Sequence, residues 1–522
     1  MKEQTKGNVI ILTVILLALL LMLNGLFLYY DRKISSGFVF ERLGLLIANL
    51  EQGNDILLGY KTFPFVPYFL STIDLITGLG LVNVVFLPIL QIIGFIPIFL
   101  VSKIFFDSKK SLCISIPVFL YVFASCCHFT EYFMARVMFL FFIYCFFKYA
   151  VATKNKPIFA VLSLIFFAGT KFFGPPMETW IISFIFCFTL ALLFIYTRRN
   201  ASLDENCGFK APVNFLILLA VIWLVYNPKF YDGLLYLDLS PQAFLNEFEV
   251  FVKNIFFPTP TRGEFVVTPI SPMPLRVINT LYYFIIIILI IVALAYQILI
   301  KRQKLFWAKD IKDTFAVSLL IPFIVELILY GMLGTLPMRY LLLVYPIISM
   351  YWITKLPVKK IFFATLVILI LLSGGSFVLQ KAYEISHNFP SELQARSVVS
   401  YLGDNTQRGI RIMTDHHTYG SLRAFFAQVY GDPRYFEFRR YTSERYGKIV
   451  GNRTGQSFDF DLLLVNLRDL DKNTYGPGKP GEVGWKNFEP LDTYYPQIIS
   501  NPALNQVYES QALVIFAVVP LQ

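Results

Sequence analysis

Glu41 stands shortly after a long apolar run, Asn8 to Tyr30, and ahead of Gly59-Tyr60-Lys61-Thr62-Phe63-Pro64-Phe65-Val66-Pro67-Tyr68. A carboxylate held at a membrane surface can take the proton of an incoming hydroxyl as that oxygen forms a new bond. The plainer reading of Glu41 is a solvated charge, or a partner for Arg42 or Arg136. A second acid, Glu131, lies in His128-Phe129-Thr130-Glu131 with Arg136 close behind. An interface ion pair between the two explains that spacing about as well as a ligand contact does. Asp31 reads as a boundary charge at a helix end, and Asp55 as turn chemistry in Gly53-Asn54-Asp55. Glu178, beside Pro175-Pro176, carries little weight of its own.

These residues must be positioned by membrane helices. The 522-residue chain is 56% hydrophobic and only 15% charged, whereas a soluble domain is nearer a quarter charged. Apolar runs such as Asn8 to Tyr30 and Leu281 to Ile300 are long enough to cross a hydrocarbon core of about 30 Å. The first run is too long for a signal peptide and has no small-residue cleavage site before Asp31-Arg32-Lys33, so it reads as a retained helix. About eleven spans are expected, at roughly 8–30, 82–106, 111–129, 134–152, 157–172, 177–197, 212–227, 278–300, 314–333, 340–354 and 361–379. Gly174-Pro175-Pro176 allows a re-entrant turn in place of two of them.

The net charge of +11 is not a nucleic-acid footprint. From Lys381 onward there are 15 Lys+Arg and 15 Asp+Glu, so the preceding part holds the whole excess (45 − 15 = 30 basic, 34 − 15 = 19 acidic, 30 − 19 = 11). That excess sits mostly in short loops between apolar runs, the positive-inside pattern. No basic stripe with interleaved aromatics is left for nucleic acid. Placing Lys103/Lys109/Lys110, Lys154/Lys156, Arg198/Arg199/Lys210, the 301–312 cluster and Lys355/Lys359/Lys360 in the cytoplasm puts the N-terminus inside. The region after 380 and the segments 31–81 and 228–277 then lie outside. Arg339 and Lys171 are cations on the side otherwise poor in basic residues. A charge kept near lipid against that trend calls for a partner, either a ligand phosphate or a protein acid such as Glu326.

The external segments have their own patterns. Phe38 to Leu50 and Pro64 to Gly78 are apolar pieces suited to lie in the interface plane. Ser240 to Phe257 repeats the theme, with Phe244, Phe248 and Phe251 on one face. Beyond 380 the chain alternates strand-like runs, at 410–413, 462–465 and 512–519, with helical patterns at 391–402 and 421–430. A small α/β domain with a mostly parallel sheet is expected, with Gly/Pro-rich 475–489 as a loop. Asp415-His416-His417 follows a strand, but adjacent histidines on extended chain point to opposite faces, so a loop at a strand end explains them better than a metal. Five of the six cysteines lie in or beside apolar runs, and no disulfide framework is implied. There is no Gly-rich phosphate loop. Asn452-Arg453-Thr454 is a sequon on the external side.

Four motifs, in order, resemble the GT-C membrane glycosyltransferases, in particular the branch of dolichyl-phosphate-mannose protein mannosyltransferases and lipid A aminoarabinose transferases. They are Phe40-Glu41-Arg42 after the first span; Ala48-Asn49-Leu50-Glu51-Gln52-Gly53 leading to Phe63-Pro64-Phe65-Val66-Pro67-Tyr68; Gly169-Thr170-Lys171; and Pro337-Met338-Arg339-Tyr340 running on to Tyr345-Pro346. Where the family often has two adjacent acids in its first loop, the neighbour of Glu41 is Phe40.

The resemblance implies an all-α polytopic membrane bundle over 1–379, GT-C-like, with a small extracytoplasmic α/β domain over 380–522. It also implies transfer of a sugar from a polyprenyl-phosphate donor, with inversion, to a lipid or protein acceptor on the external face of the plasma membrane. In that reading Glu41 is the base, Arg339 and Lys171 hold the donor phosphate, and Glu131 is a second acid contacting donor or metal. A divalent metal is compatible with it but not indicated. A transporter is the first rival, set back by the absence of paired broken spans in matching halves. A non-catalytic GT-C-like scaffold for a cell-surface assembly is the second.

Overall fold

The structure is a computed structural model. It describes residues 65–79, 93–122, 131–151, 156–173, 184–191, 273–302, 310–320, 343–386, 392–414, 458–467, 494–511 and 513–519, with short pieces at 84, 268–269, 474–476, 489–490 and between 418 and 451. The spans expected at 8–30 and 212–227, the pattern at 240–257, Gly174-Pro175-Pro176, Glu326, Asp415-His416-His417 and the sequon lie outside the described residues. Among the described residues, those within 87–255 and 274–378 form one compact unit. Those within 22–86, 256–273 and 379–522 form the other.

The first unit is helical. Its elements are α2 (Phe95–Phe105), α3 (Ser108–Val122), α4 (Glu131–Val151), α5 (Lys156–Phe173), α6 (Met273–Ala295, running on into a π-turn at Tyr296–Ile300), α7 (Tyr345–Ile353) and α8 (Lys359–Ser386). Helical pieces at 184–191 and 311–320 join them. Three described stretches, Phe133–Val151, Met273–Ile300 and Lys360–Gln380, are long and apolar enough to cross a membrane. The protein is a membrane protein on that ground. Phe106, extended at φ −124° and ψ 163°, ends α2. Asp107 then starts α3 by accepting the amides of Lys109 and Lys110 at 3.1 and 3.0 Å.

The interior of this unit is aromatic. Phe315 meets Phe147, Phe184 and Phe188 with ring centroids 4.9–5.3 Å apart, mostly edge to face. Inside lipid there is little hydrophobic force between helices, so this interlocking and a few polar contacts must hold them. One such contact joins α6 to α8, where Ser376 donates its hydroxyl to Asn279 Oδ1 at 2.6 Å.

The second unit contains α1 (Phe65–Thr77), a small antiparallel sheet of β1 (Thr268–Pro269), β5 (Thr474–Gly476) and β6 (Glu489–Pro490) in that order, and a five-stranded sheet flanked by helices. In α1, Gly78 takes φ +64° and returns its amide to Asp74 O at 2.7 Å. That left-handed stop is cheap only without a Cβ. Leu75 and Ile76 are each 79% exposed, the apolar face expected of an interface helix.

The larger sheet comprises β2 (Ile410–Thr414), β3 (Phe436–Arg440), β4 (Leu462–Asn466), β7 (Leu504–Glu509) and β8 (Leu513–Val518), in the order β3-β2-β4-β8-β7. It is mixed rather than mostly parallel. β2 pairs in parallel with β3 and β4, but β8 runs antiparallel to β4 and β7. The reason is the connection: β7 and β8 are joined by a tight turn in which Ser510 donates its amide to Leu513 O at 2.8 Å, and a link that short can join only antiparallel neighbours.

β7 lacks an apolar strand pattern because its side chains are mostly exposed polar groups on an edge. The ends of the stretch expected as loop also pair, as β5 (Thr474–Gly476) and β6 (Glu489–Pro490). Met413, Leu463, Val465, Val514 and Phe516 form the core on one side of the larger sheet, with Ile449, Ile498 and Leu504 against them. The helix α9 (Glu392–Asn405) precedes β2, and a short α10 (Tyr495–Ile499) precedes β7.

Candidate functional site

Sequence reasoning pointed to Glu41, Arg339, Lys171 and Glu131. Glu41 and Arg339 lie outside the described residues. Glu131 is the first residue of α4, and Lys171 lies in the last turn of α5. These two helices run antiparallel. Met138 meets Gly169, Phe141 meets Phe166 at 5.0 Å, and Tyr149 meets Lys156 at the far end. A Cβ on Gly169 would lie 3.1 Å from Met138 Cγ and 3.2 Å from its Sδ. The missing side chain is therefore what lets the two backbones close up here.

The pairing has a consequence for the cations. Two residues beyond the Met138–Gly169 contact, Arg136 on α4 and Lys171 on α5 fall at the same level of the hairpin. Glu131 starts α4 five residues earlier, about 7.5 Å further along the axis. Arg136 is 8% exposed, and Thr170 beside Lys171 is fully buried with its hydroxyl turned back to Phe167 O at 2.7 Å. One end of the α4–α5 hairpin thus carries an acid and two cations at or beside the ends of apolar stretches, where charge set against lipid is costly. Such a set can receive an anionic group and hold it by charge-assisted hydrogen bonds. Arg136 entered the sequence reading only as a partner for Glu41 or Glu131. The structure buries Arg136 at the level of Lys171, a placement that its neighbours in sequence do not announce.

A tyrosine cluster joins α3 to α6 in the same unit. Tyr121 and Tyr282 stack with centroids 3.9 Å apart and planes 11° apart, and Tyr283 meets them edge-on at 5.9 and 6.5 Å. Tyr282 is fully buried, and its hydroxyl makes no hydrogen bond.

A second polar constellation occupies another part of the bundle, and the sequence reading missed it. Asp313, 6% exposed, accepts the Tyr351 hydroxyl at 2.6 Å and the Lys355 ammonium at 3.1 Å. The Lys355 ammonium also lies 4.9 Å from the centre of the Tyr351 ring, and Gln297 donates its amide to the Lys355 carbonyl at 3.4 Å. Asp313 is masked in sequence by lying among charges at the start of an apolar run. Among the described residues, no three His, Cys, Asp or Glu side chains come together as a metal centre would need.

In the second unit, Arg411 and Asp461 form a two-pronged pair. The guanidinium donates to Oδ1 at 2.6 Å and to Oδ2 at 3.2 Å, and the Arg411 amide donates to Oδ2 at 2.9 Å. These hydrogen bonds hold the Asp461 carboxyl below the usual carboxylate range.

No family model matches the chain, and no curated protein matches it. Among solved structures it is similar to a crystal structure of ArnT from Cupriavidus metallidurans bound to undecaprenyl phosphate, at 11% sequence identity and a TM-score of 0.47, over 97% of each chain.

Proposed function

We propose that the chain is an integral-membrane glycosyltransferase of the GT-C type. It takes a sugar from a polyprenyl-phosphate carrier and passes it to a lipid or protein acceptor on the external face. The topology that goes with this reading has about eleven spans, a cytoplasmic N-terminus and an external C-terminal domain that contacts acceptor. The observation that carries it is the hairpin end described above. Glu131 opens α4, and Arg136 and Lys171 fall at one level of the α4–α5 hairpin, Lys171 within Gly169-Thr170-Lys171, which resembles a Thr-Lys at an external helix end in that family. The α1 helix adds to it, since it presents Leu75 and Ile76 outward in the Pro-rich stretch that follows Glu41.

In the proposed reaction Glu41 accepts the proton of the acceptor hydroxyl. The acceptor oxygen bonds to the anomeric carbon from the side opposite the phosphate. The bond between that carbon and the phosphate oxygen breaks, and polyprenyl phosphate leaves with the electron pair. Arg339 and Lys171, joined by Arg136, stabilise the negative charge that grows on the leaving phosphate. Glu131 orients the donor. An adjacent apolar wall of the bundle takes the prenyl tail.

The test is Glu41→Gln in the purified full chain, assayed for sugar transfer from a polyprenyl-phosphate sugar. Loss of a positioned base lowers kcat by about a hundredfold or more, with KM for donor little changed. Arg136→Gln and Lys171→Gln should raise KM for donor and lower kcat together. Unchanged transfer by Glu41→Gln removes it as the base. If no carrier-linked sugar is consumed by wild-type protein, the enzymatic reading falls and the scaffold takes its place.

A further inference from the structure

Four lysines of the membrane unit share a local construction that the transfer reaction does not use. The Lys103 ammonium lies 5.8 Å from the centre of the Phe99 ring, one turn back along α2. On α4, Lys148 lies 5.7 Å from the Tyr144 ring. Lys156, which opens α5, lies 5.8 Å from Tyr149, and Lys301, which follows the π-turn, lies 5.4 Å from Tyr296. For Lys103, Lys148 and Lys301 the ring sits deeper in the same helix and the ammonium lies beyond it toward the end, while Lys156 reaches a ring near the end of the neighbouring helix. That is the geometry of an aromatic belt with snorkelling lysines at a membrane surface.

Contacts place these helix ends together. Phe105 at the end of α2 meets Tyr351 at 4.9 Å, and Phe147, next to Lys148, meets Phe315 at 4.9 Å. Phe106 meets Phe362 at the start of α8 at 6.4 Å, and Gln297 bonds to Lys355. The Asp313 network binds Lys355 into this end and leaves the other lysines outward. Lys103 and Lys301 are exposed, and Lys148 and Lys156 are half-buried. Just inside the lysine level, Leu299 and Ile300 are each 71% exposed and Phe363 is 65% exposed, surfaces that only lipid tails would cover.

We propose that this ring of lysines is a docking surface for the headgroups of anionic phospholipids. The chemistry is a negative phosphate at the level of the ammoniums, with acyl chains against the exposed apolar side chains below. Zwitterionic lipids satisfy the apolar part but cancel the charge, so the surface discriminates between them. The proposal is independent of the transfer reaction and needs only the membrane placement.

The experiment uses the purified full chain, delipidated in neutral detergent and titrated with phosphatidylglycerol or phosphatidylcholine, with bound lipid counted by native mass spectrometry. Phosphatidylglycerol should bind at least tenfold more tightly than phosphatidylcholine. Each lysine at the surface is worth about a fivefold change. The combined variant Lys103→Gln, Lys148→Gln, Lys156→Gln, Lys301→Gln should bring the two lipids to equal affinity. The same four positions changed to Arg should keep the preference, which separates loss of charge from loss of fold. Inorganic phosphate at millimolar levels should not displace the lipid. Equal binding of both lipids by the wild-type chain would overturn the proposal. So would a preference that survives in the Gln variant or is lost in the Arg variant, or displacement by free phosphate.

Discussion

Two ion pairs, one in each unit, show how differently the same chemistry behaves in two settings. Asp313 and Lys355 meet with side-chain exposures of 8% and 34%, whereas Asp461 and Arg411 meet at 41% and 40%. The second pair has the better geometry, with two guanidinium hydrogen bonds and a backbone amide on one carboxylate. The first has the more consequential surroundings. A carboxylate removed from water depends on its partners, and losing one leaves charge with nowhere to go. At the surface, water replaces whatever is lost. Burial, more than hydrogen-bond count, sets what each pair is worth.

That contrast can be broken in order of effect. Lys355→Met leaves the Asp313 carboxylate buried with the Tyr351 hydroxyl alone, and should cost about 3 kcal/mol of stability, read as a lowered thermal midpoint in detergent. Gly403→Ala, in α9 of the other unit, tests packing against charge. An added Cβ falls on the Tyr430 hydroxyl, and displacing that ring from Phe426, 5.7 Å away, should cost about 2 kcal/mol. Hydrogen exchange in 392–405 reads it.

Asp313→Asn should cost less than Lys355→Met, about 1–2 kcal/mol, because Lys355 is exposed enough to reach water once released. If the two substitutions at the Asp313 site are equal, the asymmetry of burial is not what governs it. Smallest of all, Arg411→Gln should be nearly silent at neutral pH.

The pH dependence sharpens the same comparison. Because Arg411 holds the Asp461 carboxyl below its ordinary value of 3.8, the folded state favours the charged form. The stability this contributes is fully present above pH 3.8 and is lost as pH falls through the lower folded value. Arg411→Gln should let the carboxyl return toward 3.8 and remove this small contribution, so protection of β2 and β4 amides should fall less in the variant than in the wild-type chain as pH drops below 3.8. No difference between the two on acid titration would mean that the pair is not formed in solution.

Much of the architecture was legible in the chain. Long apolar runs announce α4, α6 and α8, because nothing but a membrane accommodates such lengths. Gly78 announces the end of α1, because a left-handed stop favours glycine. Strand-like runs at 410–413 and 462–465 announce β2 and β4, and 462–465 is continuously apolar because its central strand is buried on both faces. The hairpin at Ser510 was not legible as a switch to antiparallel pairing, since β7 carries the polar pattern of an edge. Within the candidate site, Lys171 was singled out in sequence as a cation on the side expected to be poor in basic residues, and Glu131 as an acid in a linker expected outside. The level match between Arg136 and Lys171 was not, because it depends on which residue of one helix meets Gly169 of the other.

Composition and periodicity alone determined that this is a membrane chain with a charge-balanced region after its last apolar run, because transfer of backbone and side chains into lipid depends on residue type over a length of chain. Only the folded molecule decided which polar residues are buried together. Asp313 lies far in sequence from Tyr351 and Lys355, and their adjacency follows from helix packing that no local pattern encodes.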